Sequence, residues 1–338
     1  MIWQPKKICI LPAQLGLGGP ASFQSGLIRS FKERGVEVTH DPLDPSLAAI
    51  LLFGAARNLA EVRQAQSRGV RLVQRLNGMN WVHRKKFTGV RHFIKAEVGN
   101  LKLRSVRKMV DRVIYQSQFA REWWEREHGV LDKAQVVIHN GVDLELFTSQ
   151  PSEKPDDRYR LLMVEAHHGS GYDQGLRSAV QLLKNLENRL DRPCELVVVG
   201  DVPTALQQRM DRPGIAWMGV VKHTDIPAIN RTAHLFFSGD INATCPNAAL
   251  EAMACGLPVL AYDTGAMREL VPPDAGRVVI YGGNVWELEQ PDAAALAQGA
   301  CEILSGQTEF SRQARLQAQE HFDIREAAEK YLEVLLGE

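Results

Sequence analysis

Short apolar runs that alternate with helical stretches along the whole chain predict an α/β fold with two parallel sheets. Three observations carry this. Strand and helix alternate from Lys7 to Leu336, which demands parallel sheets covered by helices on both faces. Each half presents a glycine loop or a helix start directly after a strand, where open α/β sheets hold their ligands. The 338 residues also exceed what one compact core usually serves. We therefore expect two Rossmann-like domains facing across a cleft: residues 1–150, then 151–322, with a terminal helix over 323–338 crossing back toward the first.

Composition narrows the function. Lysine plus arginine and aspartate plus glutamate both number 40, so bulk charge selects neither a nucleic acid nor an acidic partner. The five cysteines (Cys9, Cys194, Cys245, Cys255 and Cys301) are scattered without a C-x-x-C pair. That argues for a reducing compartment, and against a disulfide frame or a zinc site. The start carries no apolar run followed by a small-residue cleavage site. No stretch is long and apolar enough to span a bilayer. We expect a cytoplasmic protein.

Lys7–Pro12 reads as the first buried strand, then a glycine loop, a helix to about Gly35 and a short strand over Val36–Thr39. Gly16, Gly18 and Ala21 have the spacing of a dinucleotide fingerprint, with Glu37 or Asp41 as the later acid. A tight strand-to-helix turn accounts for the same residues. On either account glycines let backbone approach an anion without a Cβ in the way. Ala49–Phe53 and Arg71–Leu76 are buried strands around a helix near 57–68. The loop after Leu76 carries Asn77, His83 and Arg84 at the carboxyl end of a strand. There His83 can orient or deprotonate an acceptor hydroxyl, or be a surface polar residue. Basic residues crowd positions 84–108, opposed by Glu97 alone. This patch faces an anionic or lipid-linked acceptor or the inner membrane surface, or it is a solvated helix face. Val113–Gln116 is a strand, Ser117 caps a helix to about His128, and Val136–Ile138 is the next strand. Asn140-Gly141 marks a turn. The polar, proline-bearing stretch Thr148–Asp157 reads as the interdomain linker.

In the second half Tyr159–Val164, Cys194–Val199, Ile215–Met218, Leu235–Ser238 and the run from Val259 read as strands. Asp292–Leu304, Ser311–Phe322 and Ile324–Leu336 read as helices, the last with an apolar stripe. After the first of these strands come Ala166, His167, His168 and Gly169. The adjacent histidines have no third ligand nearby and are weak evidence for a metal. The central stretch is Cys245–Leu260, CPNAALEAMACGLPVL. Asn247 is a good N-cap, residues 248–254 are strong helix formers, Gly256 fits a left-handed residue and Pro258 stops continuation. The open amides of such a helix, with those of Ala248 and Ala249 foremost, seat a phosphate or diphosphate. Glu251 is placed to accept two ribose hydroxyl protons, or is an ordinary acid favoured by the helix dipole.

ALEAMACGLPVLAYDTGAMRELV resembles the donor segment of the GT4-type retaining glycosyltransferases of group 1. GGPASFQSGLIRSFKERGVEVT and IHNGVDLELF resemble that family's opening and the close of its first domain. The resemblance implies the GT-B fold and a hexosyltransferase acting on a nucleotide sugar. It implies that Glu251 grips the ribose, that Gly18 and Gly19 approach the diphosphate, and that the segment ending at Lys222 lies against the base. Three positions depart from the family pattern. Ala243 stands where a glutamate meets the transferred sugar. Gln174 stands where a lysine meets the diphosphate, and Ala166 or His167 where an arginine does. His167, His168 and the amides of 169–172 are the replacement donors in this sequence.

The expected activity is retaining sugar transfer without a metal or other cofactor. Attack comes from the front face, since no nucleophile stands out, and the leaving diphosphate can take the acceptor's proton. His83 and Glu251 are the candidate catalytic residues. Asn247, Ala248, Ala249, Lys222, His167, His168 and Gly169 complete the donor set. The alternatives are a non-catalytic nucleotide-sugar-binding protein, supported by the three departures, and an NAD-dependent oxidoreductase, supported by Gly16, Gly18 and Ala21. A sugar-nucleotide epimerase lacks a clear acid–base set here. The sugar, base, acceptor and oligomeric state are not encoded in any of these motifs.

Overall fold

A computed structural model describes residues 6–13, 18–56, 58–150, 154–168, 173–187 and 189–337. Gly16 and Gly169 lie outside the described residues. The chain forms two compact units, Met1–Trp81 with Gly89–Gly141 and Ile324–Glu338, and Val82–Thr88 with Val142–Asp323.

The first unit runs β1 (Lys7–Leu11), α1 (Gly19–Glu33), β2 (Glu37–Thr39), β3 (Leu47–Phe53), α2 (Leu59–Ser67), β4 (Arg71–Leu76), α3 (Val90–Met109), β5 (Arg112–Tyr115), α4 (Gln118–His128) and β6 (Ala134–Val137). Its six strands are all parallel in the order β2-β1-β3-β4-β5-β6. The order reverses between β1 and β3, so the loop after β1 opens at a topological switch point. Pro20 in the first turn of α1 suits a helix start, since its missing N–H would have had no partner there. Ser117 caps α4 as its sequence predicts, accepting from Ala120 N at 3.0 Å.

The second unit runs β7 (Tyr159–His167), α5 (Gln174–Leu186), β8 (Cys194–Asp201), α6 (Thr204–Met210), β9 (Ile215–Gly219), α7 (Ile226–Arg231), β10 (Leu235–Ser238), α8 (Asn247–Ala254), β11 (Val259–Tyr262), α9 (Met267–Leu270), β12 (Gly276–Val279), α10 (Ala293–Ser305) and α11 (Gln307–His321). Its parallel order is β12-β11-β10-β7-β8-β9, with the reversal between β7 and β10.

The last helix, α12 (Ile324–Leu336), belongs to the first unit and packs on α1. Tyr331, fully buried, and Ile324 join Ile8, Phe23, Leu27 and Phe53 in one core on that side of the sheet. Arg71 and Arg112 donate to the carbonyls of Leu335 and Val334 at 2.9 and 3.0 Å. These bonds satisfy carbonyls that a helix end leaves open.

The polar stretch Thr148–Asp157, expected as the linker, has its described residues in the second unit. The chain leaves the first unit at Gly141. Arg75, buried between the rings of Phe23 and Phe53, donates to Asn140 at 2.7 Å and fixes that end. Val142 N then donates to Phe322 O at 2.7 Å, inside the second unit. Composition marked an exposed segment there, whereas buried hydrogen bonds set the crossing.

Candidate functional site

The geometry of interest lies at the carboxyl ends of β7, β10 and β11 in the second unit. β10 ends at Ser238, and the loop Gly239–Pro246 leads into α8. The N-cap position of α8 falls on Pro246 (φ −72°, ψ 110°) rather than on Asn247, which is the first helical residue and is buried. A fixed proline φ presets the entry into a helix, which leaves Asn247 no capping task. Glu251 is thus the fifth helical residue, past the first turn. Ala249 N donates to Pro246 O at 3.1 Å, so the amides of Asn247 and Ala248 precede the first intrahelical bond.

The far end of α8 follows its sequence. Gly256 takes φ +72°, Gly256 N donates to Met253 O at 2.8 Å and Leu257 N to Ala252 O at 2.9 Å. This pair of bonds closes a helix through a left-handed glycine. The stop fixes where α8 begins and ends, and so where Glu251 points.

Glu251 is buried, and its Oε1 accepts from His223 Nε2 at 2.8 Å. A carboxylate only accepts, so the histidine carries its proton on Nε2. The hydrogen bond to Glu251 raises the His223 pKa above its ordinary value against an opposing burial effect, with the Asp143 charge adding to the rise. The His223 ring packs on Phe147 with centroids 5.3 Å apart. Lys222, exposed beside it, was singled out in the sequence and His223 was not. A single histidine after a strand gives no pattern that distinguishes it from surface polarity.

Two further carboxyls emerge that the motifs did not flag. Burial pushes Glu165, at the end of β7, well above the usual carboxylate range, and the Asp240 charge adds to this. Asp240, after β10, keeps one side open to solvent yet is crowded enough for desolvation to push it up to about 6. These strands flank the switch point, where perturbed carboxyls mark functional positions.

The histidine pair divides. His167 is partly exposed and its Nδ1 donates to Asp201 Oδ2 at 2.8 Å. His168 is fully buried and its Nε2 donates to Val199 O at 3.2 Å. Burial lowers its pKa, so in the neutral ring its one proton is directed into the sheet, not toward a ligand. Ala243 is buried, and its carbonyl accepts from Ala266 N at 2.8 Å, holding the loop after β11. Gln174 opens α5. Just before it, Asp173 is nearly buried and ion-pairs with Lys86 at 2.9 Å, Arg177 at 2.6 Å and Arg209 at 3.5 Å. Burial raises the Asp173 pKa, but Lys86 and Arg177 outweigh it and leave the group below its usual value. The residues that bring positive charge to this end of α5 are therefore Lys86, Arg177 and Arg209.

Gly18, at φ +97° ahead of α1, accepts through its carbonyl from Ala21 N at 3.1 Å, with Gly19 opening the helix. Asn77 is exposed at the end of β4, its carbonyl accepting from Trp124 Nε1 at 2.7 Å. His83 is buried and Arg84 exposed in a short turn over Val82–Arg84 that belongs to the second unit, while Asn77 belongs to the first. The structure thus groups Asn247, Ala248, Glu251 and Lys222 with His223 in one unit. It places Gly18, Gly19 and Asn77 in the other. Among the described residues no three His, Cys, Asp or Glu side chains are gathered as metal ligands.

Residues 160–306, from β7 through α10, match the family described as glycosyl transferases group 1. No curated protein matches the chain. Among solved structures, sucrose-phosphate synthase from Thermosynechococcus elongatus is similar over 98% of both chains, at 16% identity and a TM-score of 0.73. HepE from Anabaena, solved with UDP and glucose, is similar over 99% of this chain and 100% of its own, at 16% identity and a TM-score of 0.70. WaaG, a glycosyltransferase involved in lipopolysaccharide biosynthesis, covers 98% of this chain and 100% of its own at 14% identity and a TM-score of 0.68. The two six-stranded parallel sheets with flanking helices are those of the GT-B fold.

Proposed function

We propose that the protein is a glycosyltransferase that moves a sugar from a nucleotide-sugar donor to an acceptor hydroxyl. The observation that carries this is Glu251, a buried carboxylate on α8, with the start of that helix at Asn247 and Ala248 one turn ahead of it. Such a pairing suits a ribose and its adjoining diphosphate, the carboxylate accepting hydroxyl protons and the amides meeting phosphate oxygens. The group 1 match over the same segment supports the reading.

The finer assignment is a retaining, GT4-like hexosyl transfer with front-face attack and no metal. Lys86, Arg177 and Arg209 take the place of the missing lysine and arginine in meeting the diphosphate. Glu165 and Asp240 take the sugar hydroxyls left unmet by Ala243. His83 and Arg84 serve the acceptor side, and Gly18 and Gly19 give the first unit a loop whose backbone suits a phosphate. The run of positive charge over 84–108 favours an anionic or lipid-linked acceptor, with the protein in the cytoplasm at the inner membrane surface.

A thermal-shift series with UDP, GDP and NADH tests the reading. Stabilisation by UDP or GDP should grow with ligand concentration as mass action requires, and should survive a chelator. Stabilisation by NADH alone would replace the reading with an oxidoreductase. The three departures favour one second reading, nucleotide-sugar binding without turnover. Release of free sugar from a bound donor, or its transfer, excludes that.

A further inference from the structure

The second unit holds a cavity of about 330 Å³ at the carboxyl end of α8, which lies roughly 12 Å along the helix from its start at Asn247. Sites for small ligands begin at about this size. The cavity is lined by the residues that follow α8, the last residues of α7, part of α11 and the chain on either side of residues 151–153. A Cβ on Gly256 would come within 3.3 Å of both Ser149 Cβ and Ser311 O, so three of these segments converge there.

Cations dominate the lining: Lys154, Arg231, Arg312 and Arg315. Arg312 is paired with Glu309 at 2.5 Å. Among the described residues neither Arg231 nor Arg315 has a carboxylate partner. Arg315 Nη1 donates instead to the carbonyl oxygens of Phe147, at 2.7 Å, and of Ala254. The carbonyls of Glu251, Ala252 and Met253 accept from the amides of Cys255, Leu257 and Gly256. Each of the last four carbonyls of α8 thus has a donor, which blunts the negative helix end that would repel an anion. Burial holds the Lys154 ammonium below its usual value. Burial and the charges of Lys154, Arg192 and Arg160 hold neighbouring His234 down to about 4, against Asp156. Lys154 is therefore partly desolvated and sits in a positive field.

Asn230, also lining the cavity, is 1% exposed. Its Nδ2 reaches Cys255 Sγ at 3.7 Å, and its Oδ1 has no partner among the described residues. A buried amide oxygen without a donor is costly, and a hydroxyl entering the cavity supplies one.

We propose that this cavity is a second ligand site, one that binds a small hydroxylated phosphate monoester. The guanidinium forks of Arg231 and Arg315 match phosphate oxygens, and Lys154 adds a point charge. Three cations call for more than one negative charge, and a phosphate monoester carries about −1.5 to −2 at pH 7. A hydroxyl on its body meets Asn230. The inference does not rest on the transferase reading, which concerns the other end of α8.

Titration calorimetry on the full-length protein tests it, with glycerol 3-phosphate as the probe and inorganic phosphate and glycerol as controls. Glycerol 3-phosphate should bind with one site per chain and more tightly than inorganic phosphate, and glycerol should give no heat. The binding should be the same with saturating UDP present, which separates it from a phosphate held at the start of α8. Lys154→Ala with Arg231→Ala should weaken it at least about tenfold while the melting temperature and the UDP response stay as in wild type. Asn230→Ala should bring glycerol 3-phosphate down to the affinity of inorganic phosphate. Absence of glycerol 3-phosphate binding, its displacement by UDP, or unchanged affinity in the Lys154/Arg231 variant would overturn the proposal. A protein that ignores UDP yet shows this pattern would refute the transferase reading alone.

Discussion

Glu251 accepts a hydrogen bond from His223, and a ribose would bond to the same carboxylate. A charged hydrogen bond is worth roughly 1.5–3 kcal/mol, so Glu251→Ala should weaken UDP binding about 10- to 100-fold. Titration calorimetry checks this, and unchanged affinity would remove Glu251 from the site. The His223 pair carries a pH signature with a definite sign. The hydrogen bond to Glu251 raises the folded pKa of His223 above its usual value. Its stabilisation is therefore complete below the unfolded value of about 6.5 and is lost as pH rises through the folded value. The ring is 42% exposed, so solvent screening holds the contribution under about 1 kcal/mol. Melting temperatures of wild type and His223→Gln should converge as pH is raised from about 6.5 into the alkaline range. A constant gap across that range would mean that the pair adds nothing.

At the scale of elements, the switch point is held by two glycines facing each other. A Cβ on Gly175, in the first turn of α5, would run into the Gly239 carbonyl, and a Cβ on Gly239 would meet Met163 Cε at 2.6 Å. Overpacking of this kind costs about 1–3 kcal/mol. Gly175→Ala should lower the urea midpoint accordingly without changing the denaturant slope, since the loss is local packing rather than compactness. The sequence made much of this architecture legible. β4, β10 and α12 fall where period and length place them, because β4 and β10 are short runs centred on buried Leu, Val and Phe and α12 carries its apolar stripe over 13 residues, and the stop of α8 at Gly256 needs only a left-handed residue. β12 was not read, because GRVV carries too little apolar length to be told from a loop. α3 was met only as a run of charge, because it buries Asn100 and Arg107 beside Ala96 and Val106 and exposes Val90, Ile94, Val98 and Leu101 among its lysines and arginines, so neither side of it reads as purely apolar. The linker was sought in a proline-rich stretch, but the buried Arg75–Asn140 bond that fixes the crossing joins residues 65 positions apart. The Glu251–His223 pair was legible by half, since the glutamate sits in a motif and the histidine in none.

At the scale of the whole chain, the first unit depends on residues from both termini. Tyr331 and Ile324 sit among Phe23, Leu27 and Phe53, all within a core whose members outside α12 lie before residue 139. The second unit has its own core, spanning Tyr159 to Phe310 and drawing nothing from α12. Deleting residues 324–338 should therefore open the first unit alone. Its amides should lose hydrogen-exchange protection by several orders of magnitude, while β7, β8 and β10 stay protected. Tyr331→Ala gives a graded version, because burying no ring there costs about 3–5 kcal/mol by analogy with other large-to-small core changes. That substitution should steepen proteolysis of residues 6–137 and leave 159–306 intact, and nucleotide-dependent protection of α8 should persist in it. Equal loss of protection in both units would show that they fold as one cooperative body and would remove the basis for treating the nucleotide half as self-sufficient.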